Sequence, residues 1–221
     1  GLLLMYLFSL TLRWLPTAWL AGAALLAGGC QWERQPEQKR INSYLAEPAD
    51  LASVRRVMVL PFRQESNVEA DVEKVRDAFV AELQKLRRFE VVPLPSTAAE
   101  NELLRDSLRR GRLSTEATVR LCERYGLDAI FLGTVTAWRP YTPAHLAMRT
   151  QLLSVHSGAP VWAVDAMYDT SDRSTVSDLR HYMLTQKQDD GSLHGWELKL
   201  LAPQQFTQYV ANRFVGTWSD A

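Results

Sequence analysis

Cysteine is scarce in this chain, with two in 221 residues, Cys30 and Cys122. If Cys30 is consumed by modification, Cys122 has no partner, which excludes a disulfide framework within one chain. Net charge is absent as well: 25 basic residues balance 25 acidic ones. A nucleic-acid or anionic-membrane binder calls for a basic surplus or a local basic patch, and the balanced charge gives no such pull, so no nucleic-acid partner is expected. The motifs that hold phosphates or activate nucleophiles are missing. There is no G-x-x-x-x-G-K-[ST] loop, no G-x-G-x-x-G turn, no G-x-S-x-G elbow and no H-E-x-x-H helix. The four histidines, His145, His156, His181 and His194, are scattered. His194 and Glu197 stand three apart, but Gly195 between them argues for a loop over a metal-binding helix. Asp189-Asp190-Gly191 lacks the repeated oxygen ligands of a calcium loop and reads as a turn. No metal, cofactor or catalytic residue is therefore expected.

The first thirty residues carry the clearest signal. Residues 1–29 hold one charge, Arg13, followed by the apolar stretch Trp14–Gly29. That stretch falls short of the ~20 residues a spanning helix needs. A positive residue, an apolar stretch and small residues before a cleavage point make a secretory signal. The run Leu26-Ala27-Gly28-Gly29-Cys30 resembles a bacterial lipobox, in which the cysteine sulfur carries diacylglycerol. The lipobox has Leu three places before the cysteine, and Ala27 stands there instead. Met5 is the expected start. An uncleaved anchor using residues 1–29 is the competing reading.

Cleavage before Cys30 leaves residues 30–221 with one more acidic than basic residue. Gln31 follows the cysteine. In enteric bacteria an Asp there holds lipoproteins in the inner membrane, so the resemblance implies an outer-membrane lipoprotein facing the periplasm. Residues 30–53 are polar, with Pro36 and Pro48, and read as a tether. Residues 54–221 form the expected domain, long enough to bury a core.

Val57–Phe62 is a β-branched apolar run and reads as a buried strand. Val72, Val75, Phe79, Leu83 and Leu86 mark one face of a helix over Glu69–Arg88. Phe89–Pro93 follows as a strand, so the expected unit is β-α-β with parallel strands. Two helices follow, Thr97–Arg110 and Ser114 or Thr115 to Tyr125, the second ending before Gly126. Asp128–Trp138, Leu146–His156 and Val161–Tyr168 then form an antiparallel meander, with a tight turn at Ser157-Gly158. A helix beginning after Asp169 carries Val176, Leu179, Tyr182 and Met183. A last one, Pro203–Trp218, carries Phe206, Tyr209, Val210, Phe214 and Trp218. The fold class is α/β: a single domain with a mixed sheet in the order β-α-β-α-α-β-β-β-α-α, flanked by helices. Cys122, beside Leu121 and Val119, is expected in the core. Asp165, Asp169 and Asp172 look like an acidic cluster, but carboxylates at a helix start cap amides. Arg87-Arg88 and Arg109-Arg110 end helices, where cations offset the dipole.

This order of segments resembles a family of envelope lipoprotein domains. That family includes the curli secretion lipoprotein, the lipoprotein activators of penicillin-binding proteins and the N-terminal domain of the Tol-system periplasmic protein. The resemblance covers about Val54–Asp169. Its most specific pieces are Tyr125-Gly126-Leu127-Asp128-Ala129-Ile130 with Gly133, and Ser157-Gly158 before Val161-Trp162. It implies a non-enzymatic protein, held to the membrane by lipid on Cys30, that binds an envelope protein in assembly, secretion or cell-wall control. The secretion pores of the family carry long amphipathic strand pairs, and none stands between Leu184 and Pro203, so an adaptor is expected over a pore. The best contact candidates are Trp138, Arg139 and Tyr141, on the proline-rich loop ending at Pro143. Trp138 and Tyr141 also suit a covering role at the end of the sheet. The alternatives are a small-ligand binder, using the crevice at the strand ends of the sheet, and a hydrolase of envelope material.

Overall fold

Alternation along one line of chain organises the molecule. In Val57-Met58-Val59-Leu60, odd residues join one apolar cluster and even residues another, so the strand they form is buried on both faces. The computed structural model describes residues 41–95, 115–186 and 202–218, all within one compact unit. The leader, Cys30, the tether as far as residue 40, the helix expected over Thr97–Arg110 and the His194–Glu197 segment lie outside the described residues.

Seven strands form one mixed sheet in the order β1-β7-β6-β5-β2-β4, with β3 also paired to β5. They are β1 (Asn42–Leu45), β2 (Arg56–Val59), β3 (Arg63–Gln64), β4 (Glu90–Val92), β5 (Ala129–Arg139), β6 (His145–Ser154) and β7 (Pro160–Asp169). The helices are α1 (Pro48–Ala52), α2 (Val72–Lys85), α3 (Thr115–Tyr125), α4 (Arg173–Gln186) and α5 (Pro203–Gly216). The fold class is as expected: α/β, with β2 parallel to β4 and β5, and β5, β6 and β7 an antiparallel meander.

Two corrections apply. The segment read as tether up to residue 53 is part of the domain from residue 42. Asn42–Leu45 pair antiparallel with β7 as the edge strand, and α1 follows. The burial pattern of β1 is almost wholly exposed, so its composition is that of a solvated edge and has no apolar run to announce a strand. The strand expected over Val57–Phe62 is shorter, because Pro61 cannot donate to the ladder. Val59 pairs with Phe131, yet Arg63 pairs with Thr134, so one extra residue is accommodated on the β2–β3 side.

That irregularity places Phe62. Its ring lies against Gly133, where an added Cβ would come within 2.7 Å of a ring carbon. Phe62 meets Phe79 edge-on at 5.4 Å and stacks on Phe131 at 6.0 Å. The rings continue from Phe131 to Trp162 and on to Trp218 and Phe89. A branch runs from Phe79 through Phe214 to Tyr168 and Tyr209. These rings fill the large core between the sheet and α2, α4 and α5. The smaller core on the opposite face holds Met58, Leu60, Val92, Ile130 and Leu127, with Cys122 of α3 buried among them as expected. Burial pushes the Cys122 thiol pKa up, which suppresses the thiolate.

Asp128 joins three parts of the chain. Its Oδ2 accepts the amides of Arg55 and Arg56, both at 2.9 Å, as β2 begins. Its own amide donates to Arg56 and its carbonyl accepts from Val155. Gly126, at φ 58°, ends α3 and lets the Leu127 amide donate back to Cys122.

Gly133→Ala is expected to destabilise the chain by ~1–3 kcal/mol through overpacking against Phe62. In a Phe62→Ala background the same change should be neutral or favourable, since alanine suits a strand better than glycine. Urea denaturation of the four chains reads this directly; equal costs in both backgrounds would refute the packing account.

Candidate partner-binding loop

The β5–β6 connection is built from the register of the meander. Arg139 on β5 pairs with His145 on β6, and His145 pairs with Asp169 on β7. Three polar side chains thus stand in one cross-strand row at the end of the sheet. His145 Nδ1 lies 3.0 Å from Asp169 Oδ2, and Arg139 Nη2 lies 3.6 Å from the same oxygen. Arg139 Nε donates to the Pro143 carbonyl, bridging the loop. The Thr170 amide donates to the Ala144 carbonyl at 2.9 Å. The loop 140–144 is therefore closed at its base by Arg139 and Pro143 and tied to the end of β7 through Ala144.

The three sequence-selected residues divide in role. Trp138 is half-buried and packs against the large core, so the covering reading describes it. Arg139 is exposed, and its guanidinium is spent holding the loop. Tyr141 is 69% exposed, the most exposed of the large hydrophobic side chains among the described residues. The structure brings Arg139 and Tyr141 onto one held loop and leaves Trp138 beneath it.

His145, Asp169 and Ser171 complete the site, and only their residue types were visible in the sequence. A hairpin closing between Arg139 and Leu146 implies the Arg139–His145 pairing, but the placement of Asp169 needs the third strand. Asp169 accepts from the Ser171 hydroxyl at 2.6 Å and the Ser171 amide at 2.8 Å. Those bonds, the Ser171 hydroxyl first and His145 next, hold its carboxyl well below the usual carboxylate range. Serine, histidine and aspartate meet here without the order a nucleophile needs. The carboxylate sits between the other two, and the hydroxyl donates to it, so no base is placed to take the serine proton.

Asp172, Asp165 and Asp178 have structural partners. Asp172 caps α4, accepting from the Ser174 amide at 3.0 Å. Asp165 is exposed and faces Arg149 at 3.4 Å. Asp178, on α4, is buried and holds α5 through Arg213, at 2.7 and 2.6 Å, and the Tyr209 hydroxyl at 2.8 Å. Burial first, and then the Asp178 charge, raise the Tyr209 pKa. Among the described residues no group of three metal-ligating side chains converges, and no helix is long and apolar enough to cross a membrane.

No family model and no curated protein matches the chain. Solved structures do. A PelC dodecamer from Paraburkholderia phytofirmans matches with TM-score 0.44 at 13% identity, over 75% of this chain and 96% of that one. Lipoprotein GNA1162 from Neisseria meningitidis matches with TM-score 0.38 at 16% identity, over 59% of this chain and 94% of that one. The C-terminal domain of LpoB from Escherichia coli matches with TM-score 0.38 at 11% identity, over 52% and 83%. At these identities and scores the likeness carries no functional argument.

Because the folded pKa of Asp169 is depressed, its stabilising contribution is present above the unfolded value near ~3.9 and is lost as pH falls through the folded value. Asp169→Asn should therefore melt lower than the unaltered chain at pH 7, with the gap closing as pH drops below about 4. Thermal melts between pH 7 and 2 check this; a gap independent of pH would remove the carboxylate from the account.

Proposed function

We propose that the chain is a non-enzymatic lipoprotein of the bacterial envelope, anchored through lipid on Cys30, that binds a protein partner through the loop carrying Tyr141. The address rests on the sequence: Arg13, the short apolar stretch, and Leu26-Ala27-Gly28-Gly29 before Cys30. Gln31 after the cysteine favours the outer membrane, with the domain facing the periplasm.

The partner reading rests on one observation, the 69% exposure of Tyr141 on a loop fastened by Arg139 and Asp169. A free aromatic side chain on a pre-ordered backbone loses little entropy on binding, and such residues dominate interface energetics. The adaptor's pathway would lie in envelope assembly, secretion or cell-wall control. The Ser171-Asp169-His145 geometry favours this reading over a hydrolase.

Two measurements test the two halves. Cys30→Ala should abolish incorporation of labelled palmitate in cells; unchanged labelling would reject the anchor. A photo-crosslinking side chain at position 141 should give a discrete adduct in cells. The same group at Leu184, exposed at 62% but remote in sequence, should not. Matching adducts from both positions, or none from 141, would reject the loop as the contact.

A further inference from the structure

At the other end of the sheet, where β2 and β4 begin, the domain holds a groove of about 840 Å³. Its floor is apolar: Leu45, Leu51, Val54, Phe89 and Trp218. Its rim carries Arg55, Arg87 and Arg88. These arginines are exposed, and none forms an ion pair or side-chain hydrogen bond among the described residues. Arg56, beside them, is matched by Glu90 at 3.2 Å. Glu90 lines the groove as well, so its lining carries three arginines against one carboxylate, itself paired with Arg56, an excess of positive charge on a chain whose total charge is zero.

Two strained or unsatisfied groups belong to the same place. Arg87 follows the end of α2 at φ 52°, the one non-glycine residue with positive φ among the described residues. Where α3 ends the same way the chain uses Gly126. An arginine in the left-handed region is a departure from that economy, and such departures gather at binding sites. Trp218 is 2% exposed, and its indole N–H, closed to solvent, has no acceptor among the described residues, so an occupant of the groove would meet the indole ring and not that N–H.

The backbone around the groove is already committed. The Glu90 amide donates to Arg55, the Asp128 amide to Arg56 and the Ala46 amide to Val161. With these amides already bonded, recognition in the groove falls to its apolar side chains and guanidinium groups. Inorganic phosphate alone would leave the apolar floor unused. A neutral lipid would leave the three charges uncompensated.

We propose that this groove binds a single-chain anionic amphiphile, its acidic head between Arg55, Arg87 and Arg88 and its aliphatic body along Leu51, Phe89 and Trp218. The volume lies in the range of sites that enclose a small ligand. The site is independent of lipidation at Cys30 and of the Tyr141 loop, and its failure would leave both standing.

Native mass spectrometry of the full chain, released from non-ionic detergent, tests it with palmitoyl lysophosphatidate as the probe. One adduct per chain is expected. Palmitoyl lysophosphatidylcholine, with the same tail and no net charge, should bind at least tenfold more weakly. The double variant Arg55→Glu, Arg88→Glu should lose tenfold or more in affinity for lysophosphatidate. Its thermal melt should be unchanged, since both side chains are exposed and unpaired. Arg55→Gln with Arg88→Gln should fall between, which keeps the test intact if charge reversal disturbs folding. Millimolar inorganic phosphate should not displace the lipid. Equal binding of the two lipids, indifference to the arginine changes, displacement by phosphate alone, or preferential displacement by an acidic peptide would each overturn the assignment.

Discussion

The core depends on the missing side chain at Gly133. Because no Cβ stands there, the Phe62 ring can lie directly on the central strand of the sheet. From that ring the aromatic contacts run outward, to Phe79 and Phe131 and then to the tryptophans and the α5 face. Each edge-to-face or offset contact adds roughly 0.5–1.5 kcal/mol beyond the area it buries. Pro61 contributes by interrupting the ladder one residue earlier, which frees Phe62 from the strand's alternation.

A second constraint acts through Asp128, which accepts two amides from the start of β2 and receives the chain returning from β6. The Gly-Leu-Asp segment is thereby explained without any chemistry. The glycine ends α3, the leucine fills the smaller core, and the aspartate sets where two parallel strands begin. A carboxylate accepting backbone amides forms strong, charge-assisted bonds, so one residue fixes the alignment of β2 and β5.

Much of this was legible because it is periodic. The stripes Val75-Phe79-Leu83 and Phe206-Tyr209-Val210-Phe214 fell to helical spacing, and all are buried. The meander was legible in its β-branched runs, and its Ser157-Gly158 turn in the glycine at φ 69°. β1 was not, because Asn-Ser-Tyr-Leu on an exposed edge has no apolar face to show. The loop was only half legible. Tyr141 and Arg139 stood out by type, while their support depends on Asp169, two strands away in the sheet. The groove was the least legible part. Arg87 and Arg88 read as a helix end offsetting its dipole, and nothing local says that they stand beside Arg55 and over Phe89.

The sheet also acts as a spacer. β1 meets β7 with Asn42 beside Asp165 and Leu45 beside Trp162. The chain thus enters the sheet midway along β7 and runs toward the groove. β5, with eleven residues, separates the two ends by about 35 Å at the usual strand rise. A single-chain amphiphile in the groove would therefore end short of the Tyr141 loop. The packed rings run from Phe89 and Trp218 at the groove through Trp162, Phe131, Phe62, Phe79 and Phe214 to Tyr168, whose register partner Leu146 pairs with Trp138 under the loop.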